Sequence, residues 1–389
     1  MEVKEIGSKY SDYVIQMRRQ FHQMPELSFH EYETSKKILE ELKNIGIEGR
    51  IVAGTGVLAT IQGGKSGKGK CIALRSDIDA LAVTEQTGAE FASRNAGVMH
   101  ACGHDSHIAM ILGAAKILKE MQDEVPGKIR LIFEPAEEIA QGANKMIAAG
   151  AMEGVDSVFG MHVWSDIPAG KISCEAGPRM ASADFFTIEV NGKSCHGSKP
   201  DQGVDAIIAG VALVNNFQTI VSREINPIEP SVITIGEFKG GEQSNVLAGH
   251  VYMSGTTRAF SNEVREALPV KMDRVVKYTG ETFRAGIKMD YRFGSSPVIN
   301  DEDSSEIATG AVKKIMGADA LYQYEKTPGG EDFSEYMRLA PGCFAFIGVR
   351  NEALGAVHPQ HSCYYTMDES VLINGSMVAA QYVLDFLNK

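Results

Sequence analysis

The sequence predicts an α/β protein in which a mainly parallel sheet is flanked by helices and the chain is interrupted by a smaller inserted domain. Short apolar runs such as KIRLIFE (128–134) alternate with helix-like segments, which is typical of βαβ units. From about residue 180 the order becomes β-α-β-β-α-β, which predicts four strands with two helices on one face. We therefore expect a main domain in two parts, 1–180 and 295–389, and an insert, 181–294.

In the first part of the main domain, the spacing of apolar residues and the positions of glycines predict the helices and strands. Residues 5–45 alternate apolar and charged residues at helical spacing, and Gly46 provides a helix stop. Two β-rich runs come next, VLATIQG (57–63) and KCIALRSD (70–77), and we interpret the glycine- and lysine-rich segment between them as a flexible hairpin loop. The apolar helix HIAMILGAAKILKEMQ then precedes KIRLIFE and the strand VDSVFGMHV.

The insert shows the second pattern. The run ADFFTIEVNG predicts a strand, DAIIAGVALVNNFQTIVSRE a helix, and SVITIGEFKGG and GHVYMSGTTRAF two further strands. A helix over EVREALPVKMDRVVKYTGE and a last strand over KMDYRFG complete the domain.

Composition excludes several classes of protein. Lys plus Arg total 38 and Asp plus Glu 50, and the net charge of −12 argues against nucleic acid or an anionic membrane as the main partner. The N-terminal MEVKEIGSKY lacks the apolar core of a signal peptide, and no run of 18 apolar residues occurs. The six cysteines are scattered without a CxxC pair, which indicates free thiols in a reducing, cytoplasmic setting.

The segment MHACGHDSH (99–107) contains three histidines, a cysteine and an aspartate. These residue types suit a nucleophile with its base, a structural zinc site or half of a catalytic metal site. Side chains that follow apolar strands, or lie late in the chain, could converge on this segment: Asp77, Asp79, Glu137, Glu138, His162, His358 and His361.

The adjacent pair Glu137 and Glu138 points to hydrolysis. Neighbouring residues in an extended turn face different directions, so one carboxylate can bind a metal while the other faces the water that the metal holds. A general base beside such a water is what metal-assisted hydrolysis requires, whereas a structural zinc site has no use for a spare carboxylate.

Motifs along nearly the whole chain extend this interpretation: RRQFHQMPELSFHEYET, ALRSDIDAL, GVMHACGHDSH, FEPAEE, GMHVW, GPRMASADFF, HGSKPDQGVDAI, GTTRAF, GGEDFS and HSCYYTMDE. In these motifs the chain resembles the metal-dependent amidohydrolases that include hippurate hydrolase, bacterial N-acyl-amino-acid hydrolases and plant indole-acetyl-amino-acid hydrolases. They belong to the aminoacylase and glutamate-carboxypeptidase superfamily.

The resemblance implies two divalent metal ions per subunit, manganese or zinc, with cobalt or nickel as alternatives. The implied ligands are a thiolate, three imidazoles and a carboxylate: Cys102, His104, Glu138, His162 and His361. Such ligands suit these metals better than magnesium or calcium. Relatives usually carry proline where this chain has Cys363, and we prefer His361 to His358 because the following YYTMDE keeps the family's register.

The resemblance also implies roles outside the ligand set. Glu137 becomes the general base, and His196 reaches across a dimer interface to polarise the scissile carbonyl. The insert is then a lid and dimerisation domain of a homodimer or homotetramer. Two groups in the insert face the substrate, and two aspartates orient imidazoles from behind the metals: Asn245, Arg258, Asp77 and Asp105. The alternative for the two aspartates is a strand-end turn and a helix cap.

The function that these expectations predict is hydrolysis of N-acyl amino acids, such as N-acetyl or N-benzoyl compounds, to a carboxylate and a free amino acid. N-acetyl-diaminopimelate deacetylase and a dipeptidase or carboxypeptidase are alternatives on the same scaffold. A cysteine hydrolase that uses Cys102 would be inhibited by thiol alkylation and not by chelation. A non-catalytic metal- or peptide-binding module would hold metal without hydrolysing any such substrate.

Overall fold

The computed structural model describes residues 2–67 and 69–389. The chain forms two compact units. The first contains the residues up to Gly177 together with Ile299–Glu325 and Asp332–Lys389, and the second contains Pro178–Val298 and Lys326–Glu331. The sequence-based boundaries fall after residues 180 and 294, and they assign the short segment 326–331 to the main domain.

Ten α-helices lie within the described residues: α1 (Val3–Ser8), α2 (Ser11–His22), α3 (Tyr32–Ile45), α4 (His104–Glu120), α5 (Gly142–Ala148), α6 (Ala206–Arg223), α7 (Asn262–Phe283), α8 (Glu302–Met316), α9 (Phe333–Met337) and α10 (Leu372–Asn388). The same residues form thirteen strands: β1 (Gly49–Val52), β2 (Gly56–Gln62), β3 (Cys71–Asp77), β4 (Lys128–Glu134), β5 (Ser157–Pro168), β6 (Ile172–Ser173), β7 (Gly177–Met180), β8 (Ala183–Asn191), β9 (Ser231–Gly240), β10 (His250–Ala259), β11 (Gly286–Ser295), β12 (Val298–Asn300) and β13 (Gly342–Arg350).

The first unit is built on a seven-stranded sheet of order β1-β2-β4-β3-β5-β13-β6. Its four central strands, β4, β3, β5 and β13, are parallel, and the outer strands join antiparallel. Every residue of β3 is buried, as expected for a strand covered by helices on both faces. The predicted α/β class with a mainly parallel, helix-flanked sheet is confirmed.

The predicted hairpin between β2 and β3 is wrong. β4 lies between these two strands, antiparallel to β2 and parallel to β3. Because β3 is buried at every position, it needs a hydrogen-bonded neighbour on each side, and β4 and β5 supply them. The chain therefore crosses from β2 to β3 past another strand, and Lys68 in this connection lies outside the described residues.

Helices α2, α4, α8 and α10 pack together in the core of the first unit. The stretch Glu369–Asn388, which includes α10, is by length and composition alone able to cross a membrane, but 67% of its most apolar window is buried within the protein. Such burial is typical of a core helix, and α10 lies against both α4 and α8.

The second unit contains a four-stranded antiparallel sheet of order β11-β8-β10-β9. Alternate residues such as Ile188, Val251 and Met253 are buried in a core that they share with α6 and α7. The chain order β8-α6-β9-β10-α7-β11 confirms the predicted β-α-β-β-α-β arrangement.

Candidate metal centre

The opening of α4 places the first two ligand-type side chains. Gly103 precedes the helix with a φ of 91°, a backbone conformation that favours glycine. A Cβ at this position would lie 2.5 Å from Cγ2 of Val163, so the close approach of α4 to β5 also requires glycine. Cys102 therefore ends the loop and His104 begins the helix, both buried beside the carboxyl end of the sheet.

The structure brings all five predicted ligands together. Their donor atoms form overlapping groups, in each of which the atoms lie within 4.8 Å of one another: Cys102 with His104 and His162, and Cys102 with Glu138 and His361. A third group joins His104, Glu137 and Glu138. Two atoms that bind one ion at about 2.0–2.3 Å must themselves lie only a few ångströms apart, so the spacing fits adjacent metal positions.

The imidazoles are oriented by backbone carbonyls. His104 donates from Nδ1 to the carbonyl of Asp79 at 2.9 Å, and His162 donates from Nδ1 to the carbonyl of Val163 at 2.6 Å. This leaves Nε2 of each ring facing the centre, where Nε2 of His162 lies 3.4 Å from Sγ of Cys102. Hydrogen-bonded outer nitrogens of this kind are typical of metal-binding histidines.

Two buried atoms at the centre have no hydrogen-bond partner among the described residues: Nε2 of His104 and Oε1 of Glu138. A buried polar atom left unpaired is destabilising by about 1–3 kcal/mol. A bound cation would satisfy both atoms at once. The residues present therefore fit a metal.

The electrostatics favour a cation as well. Burial, and then the carboxylates of Glu138, Glu137 and Asp77, raise the pKa of the Cys102 thiol well above its usual value. Although burial opposes it, the negative charge of Asp77 and its neighbours raises the pKa of His104 to about 10. The site thus concentrates negative charge, and a divalent ion would neutralise this charge and deprotonate the thiol.

Glu137 and Glu138 lie on a single turn of 3-10 helix, Glu137–Ile139, and not in the extended turn that the sequence suggested. Their backbone N–H groups donate to the carboxylate of Asp79 at 3.2 and 3.1 Å. Both side chains consequently reach His104, whose Nε2 lies 3.9 Å from Oε2 of Glu137 and 3.8 Å from Oε1 of Glu138. One carboxylate can bind a metal while the other stays beside it.

His361 completes the set from a strained loop. Its φ of 66° is unusual for a residue with a side chain, and such strain is common at functional sites. Its side chain is 57% exposed, and its Nε2 lies 3.6 Å from Oε2 of Glu138. His358 instead packs on the ring of Tyr364, and the backbone carbonyl of Cys363 accepts from Gln86.

The two aspartates that we expected to orient imidazoles each bind an imidazole ring, but these rings belong to His107 and His22 and not to the predicted ligands. Asp77 accepts from Nδ1 of His107 at 2.6 Å, and Asp105 accepts from Nδ1 of His22 at 2.7 Å. The ligand-type rings bond to main-chain carbonyls instead: His104 to that of Asp79, just after β3, and His162 to that of Val163 in its own strand.

Three supporting residues were missed. Asp79 was noticed at its strand end but given no role, and it holds the turn of the two glutamates. His107 uses both ring nitrogens, because Nε2 accepts from the backbone N–H of Val163 at 2.9 Å. Arg75, 1% exposed, pairs with Asp77 at 2.7 Å and with Glu134 at 2.6 Å. In the sequence, the polar triplets RSD (75–77) and DSH (105–107) interrupt apolar runs. This interruption was the feature from which Arg75 and His107 could have been found.

The remaining predicted residues lie in the second unit. His196 is exposed, and its Nδ1 accepts from the backbone N–H of Ser198 at 3.1 Å. Asn245 lies on the segment bridged to it, where its carbonyl accepts from the N–H of Gly197 at 2.8 Å. Arg258 is half-buried on β10, and burial lowers the pKa of its guanidinium.

Comparison with known proteins identifies relatives over the full chain. The profile of peptidase family M20/M25/M40 matches residues 73–385. Thermostable carboxypeptidase 2 of Saccharolobus solfataricus is 40% identical over 100% of this chain and 98% of its own. The N-acyl-L-amino acid amidohydrolase of Geobacillus stearothermophilus is 42% identical over 78% of this chain and 82% of its own.

A solved structure of a relative supports the same family assignment. The YXEP protein of Bacillus subtilis, described as a dinuclear metal-binding peptidase of the M20 family, is 36% identical and superimposes with a TM-score of 0.86 over 98% of this chain and 99% of its own. Both the matched profile and these relatives cover most of the sequence. The chain therefore belongs to peptidase family M20/M25/M40, among its metal-dependent amidohydrolases.

Proposed function

We propose that the protein hydrolyses the amide bond of N-acyl amino acids, such as N-acetyl or N-benzoyl compounds, and releases a carboxylate and a free amino acid. The observation that carries this proposal is the pair of overlapping ligand groups with one further carboxylate, Glu137, beside them. A purely structural site would not need that carboxylate.

Cys102, His104, Glu138, His162 and His361 would hold two divalent cations, which we propose to be manganese or zinc, with cobalt or nickel as alternatives. Bound cations of this kind polarise an amide carbonyl and lower the pKa of a water toward neutrality.

Glu137 supplies the proton transfers. Its carboxylate is close enough to the centre to take a proton from the attacking water, and its backbone N–H is fixed by Asp79. The side chain is 11% exposed, so water and substrate can reach it while most of its surroundings stay protein. After attack on the carbonyl, the same carboxylate passes the proton to the departing nitrogen, so one group acts as base and then as acid.

The second unit supplies the substrate contacts. We propose that Arg258 binds the free carboxylate of the amino acid, since guanidinium and carboxylate match in bidentate fashion. Asn245 contacts the same substrate, and His196 of the partner subunit polarises the carbonyl. The protein then works as a homodimer or homotetramer through this unit. All six cysteines are free thiols, which supports a cytoplasmic location.

The test is a hydrolysis screen of N-acetyl, N-benzoyl and N-indoleacetyl amino acids, with metal analysis of the purified protein and parallel assays after chelation. We expect release of the free amino acid, loss of activity with chelator and recovery with manganese or zinc. Activity that survives chelation but is abolished by thiol alkylation would favour the cysteine hydrolase instead. Bound metal without hydrolysis of any substrate would favour the binding module.

A carboxypeptidase is the second candidate, and the 40% identity to thermostable carboxypeptidase 2 supports it. The bond is chemically the same, because the last peptide bond of a peptide is also an amide of an amino acid with a free carboxylate. The two functions differ in the acyl side, so comparing kcat/KM for N-acetyl amino acids with that for dipeptides and longer peptides decides between them. Including N-acetyl-diaminopimelate in the same series tests that deacetylase assignment.

A further inference from the structure

The turn that carries Glu137 and Glu138 begins with a strained residue. Ala136 has a φ of 57°, although it is not glycine, and it is fully buried. Such a conformation persists only where the surroundings hold it in place. The backbone N–H of Ala136 donates to Oε1 of Glu31 at 2.9 Å.

Glu31 lies 105 positions earlier in the chain, at the start of α3, and is 0% exposed. Its second oxygen, Oε2, accepts from the hydroxyl of Thr55 at 2.5 Å. The hydroxyl of Ser35 donates to the backbone carbonyl of Glu31 and also contacts that of Thr55. Thr55 thus holds the Glu31 carboxylate itself, whereas Ser35 contacts only main-chain carbonyls.

Two carboxylates together bind three consecutive N–H groups. Glu31 takes that of Ala136, and Asp79 takes those of Glu137 and Glu138. Asp79 is in turn held by the hydroxyl of Ser28 at 2.7 Å, from the same N-terminal segment as Glu31. The direction in which both glutamates face the metal centre depends on this arrangement.

We propose that Glu31 is a positioning residue that fixes the aim of Glu137 and Glu138 through the N–H of Ala136. The inference rests on the proposed function, because it assigns the two glutamates their roles as base and ligand. Without the Glu31 acceptor, Ala136 can relax toward a negative φ, and the turn after it rotates. A displacement of about 1 Å at a reacting group is enough to cost about 10²-fold in rate.

The first test compares two variants of Glu31. Glu31→Ala removes the acceptor, and we expect kcat at saturating metal to fall about 10- to 100-fold with KM changed less than about threefold. Metal affinity, measured by calorimetric titration of the metal-free protein with Mn²⁺ or Zn²⁺, should fall by a similar factor. Glu31→Gln can still accept from Ala136 while its amide donates to Thr55, so both quantities should stay within about threefold of wild type.

Ser35→Ala is the matched control, because Ser35 is also buried and belongs to the same cluster but does not touch Ala136. We expect a lower melting temperature with kcat and metal affinity retained. If Ser35→Ala loses kcat as Glu31→Ala does, or if folded Glu31→Ala keeps both quantities, the proposal is wrong.

A further variant covers the case in which Glu31→Ala does not fold. Glu31→Asp keeps the charge but is shorter by one methylene, so it cannot reach Ala136 and should show the same losses; a folded Glu31→Asp with wild-type kcat and metal affinity would overturn the proposal. The metal titration needs no substrate. If wild type hydrolyses no N-acyl amino acid but Glu31→Ala binds metal more weakly than Glu31→Gln, the proposed function fails and the positioning role stands.

Discussion

Two histidines on the first turn of α4 are equally buried but differ in what their second nitrogen meets. His107 donates to Asp77 and accepts from the N–H of Val163, so both nitrogens are used. His104 donates to the carbonyl of Asp79, and its Nε2 has no hydrogen-bond partner in the part of the chain that the structure describes. The two residues have the same type and burial, but of the two only His104 has a ring nitrogen without a partner within residues 2–67 and 69–389. We therefore take His104 as a candidate metal ligand and His107 as a residue that supports the site.

The same difference separates two sides of the centre. The open side consists of the five predicted ligands, whose donor atoms cluster at the centre: Cys102, His104, Glu138, His162 and His361. The closed side is the group Arg75, Asp77 and His107, in which Asp77 binds Arg75 with one oxygen and His107 with the other. We expect substitutions on the open side to remove metal and those on the closed side to weaken its binding.

The largest effect should follow from Cys102→Ala. Its sulfur belongs to two of the three ligand groups, so its loss should disrupt both proposed metal positions. Metal content measured by inductively coupled plasma mass spectrometry should fall to less than half of wild type, and hydrolysis should fall below detection. A fully loaded and active Cys102→Ala enzyme would show that the ligand set is wrong.

Glu137→Gln should separate catalysis from metal binding. The amide cannot take a proton from water, so kcat should fall by about 10²–10⁴-fold. Metal content should stay near wild type, because Glu138 and the other ligands remain. Retained turnover in this variant would exclude the general-base role.

On the closed side, Asp77→Asn should produce a smaller loss. The amide keeps the shape but weakens the charged contacts with His107 and Arg75. Loss of a partner behind a metal site typically costs 10- to 100-fold in metal affinity or activity. Metal titration of the variant measures this directly, and an effect as large as that of Cys102→Ala would mean that Asp77 is itself a ligand.

The smallest effect should appear at Glu85, which belongs to none of the candidate ligand groups. Burial opposes its ionisation, but hydrogen bonds from His22, Thr87 and Ser93 lower its pKa to about 2. The ionised carboxylate therefore stabilises the fold above its ordinary pKa near 4.5, and this contribution disappears as the pH falls toward 2. Between pH 5 and pH 3 the melting temperature of wild type should drop by about 2 °C more than that of Glu85→Gln. An equal drop would show that Glu85 does not carry the acid sensitivity.

Hydrophobic periodicity was sufficient to predict the strands and helices but not which strands pair with each other. The runs for β4, α6 and β10 agree with the structure to within one or two residues because each pattern is local. The false hairpin between β2 and β3 arose because β4, which separates them, comes more than 50 residues after β3 in the chain.

The candidate site was likewise only partly predictable from the sequence. Motifs and resemblance selected the five ligand-type residues that the structure brings together, since the order of such motifs is visible in the sequence. The partners of Asp77 and Asp105 were not predictable, because which imidazole meets which carboxylate depends on how α2 and α4 pack. The hydrogen bond between the Glu31 carboxylate and the N–H of Ala136 was also not predictable, because it too depends on tertiary packing.

The centre of the main sheet is completed late in synthesis. Strand β13 fits between β5 and β6, and its partner positions on β5 lie more than 180 residues earlier in the chain. His361 is translated after that strand. The nascent chain thus cannot assemble the predicted ligand set until these residues leave the ribosome. Metal loading should accordingly be a post-translational event that depends on the ions available to the released polypeptide.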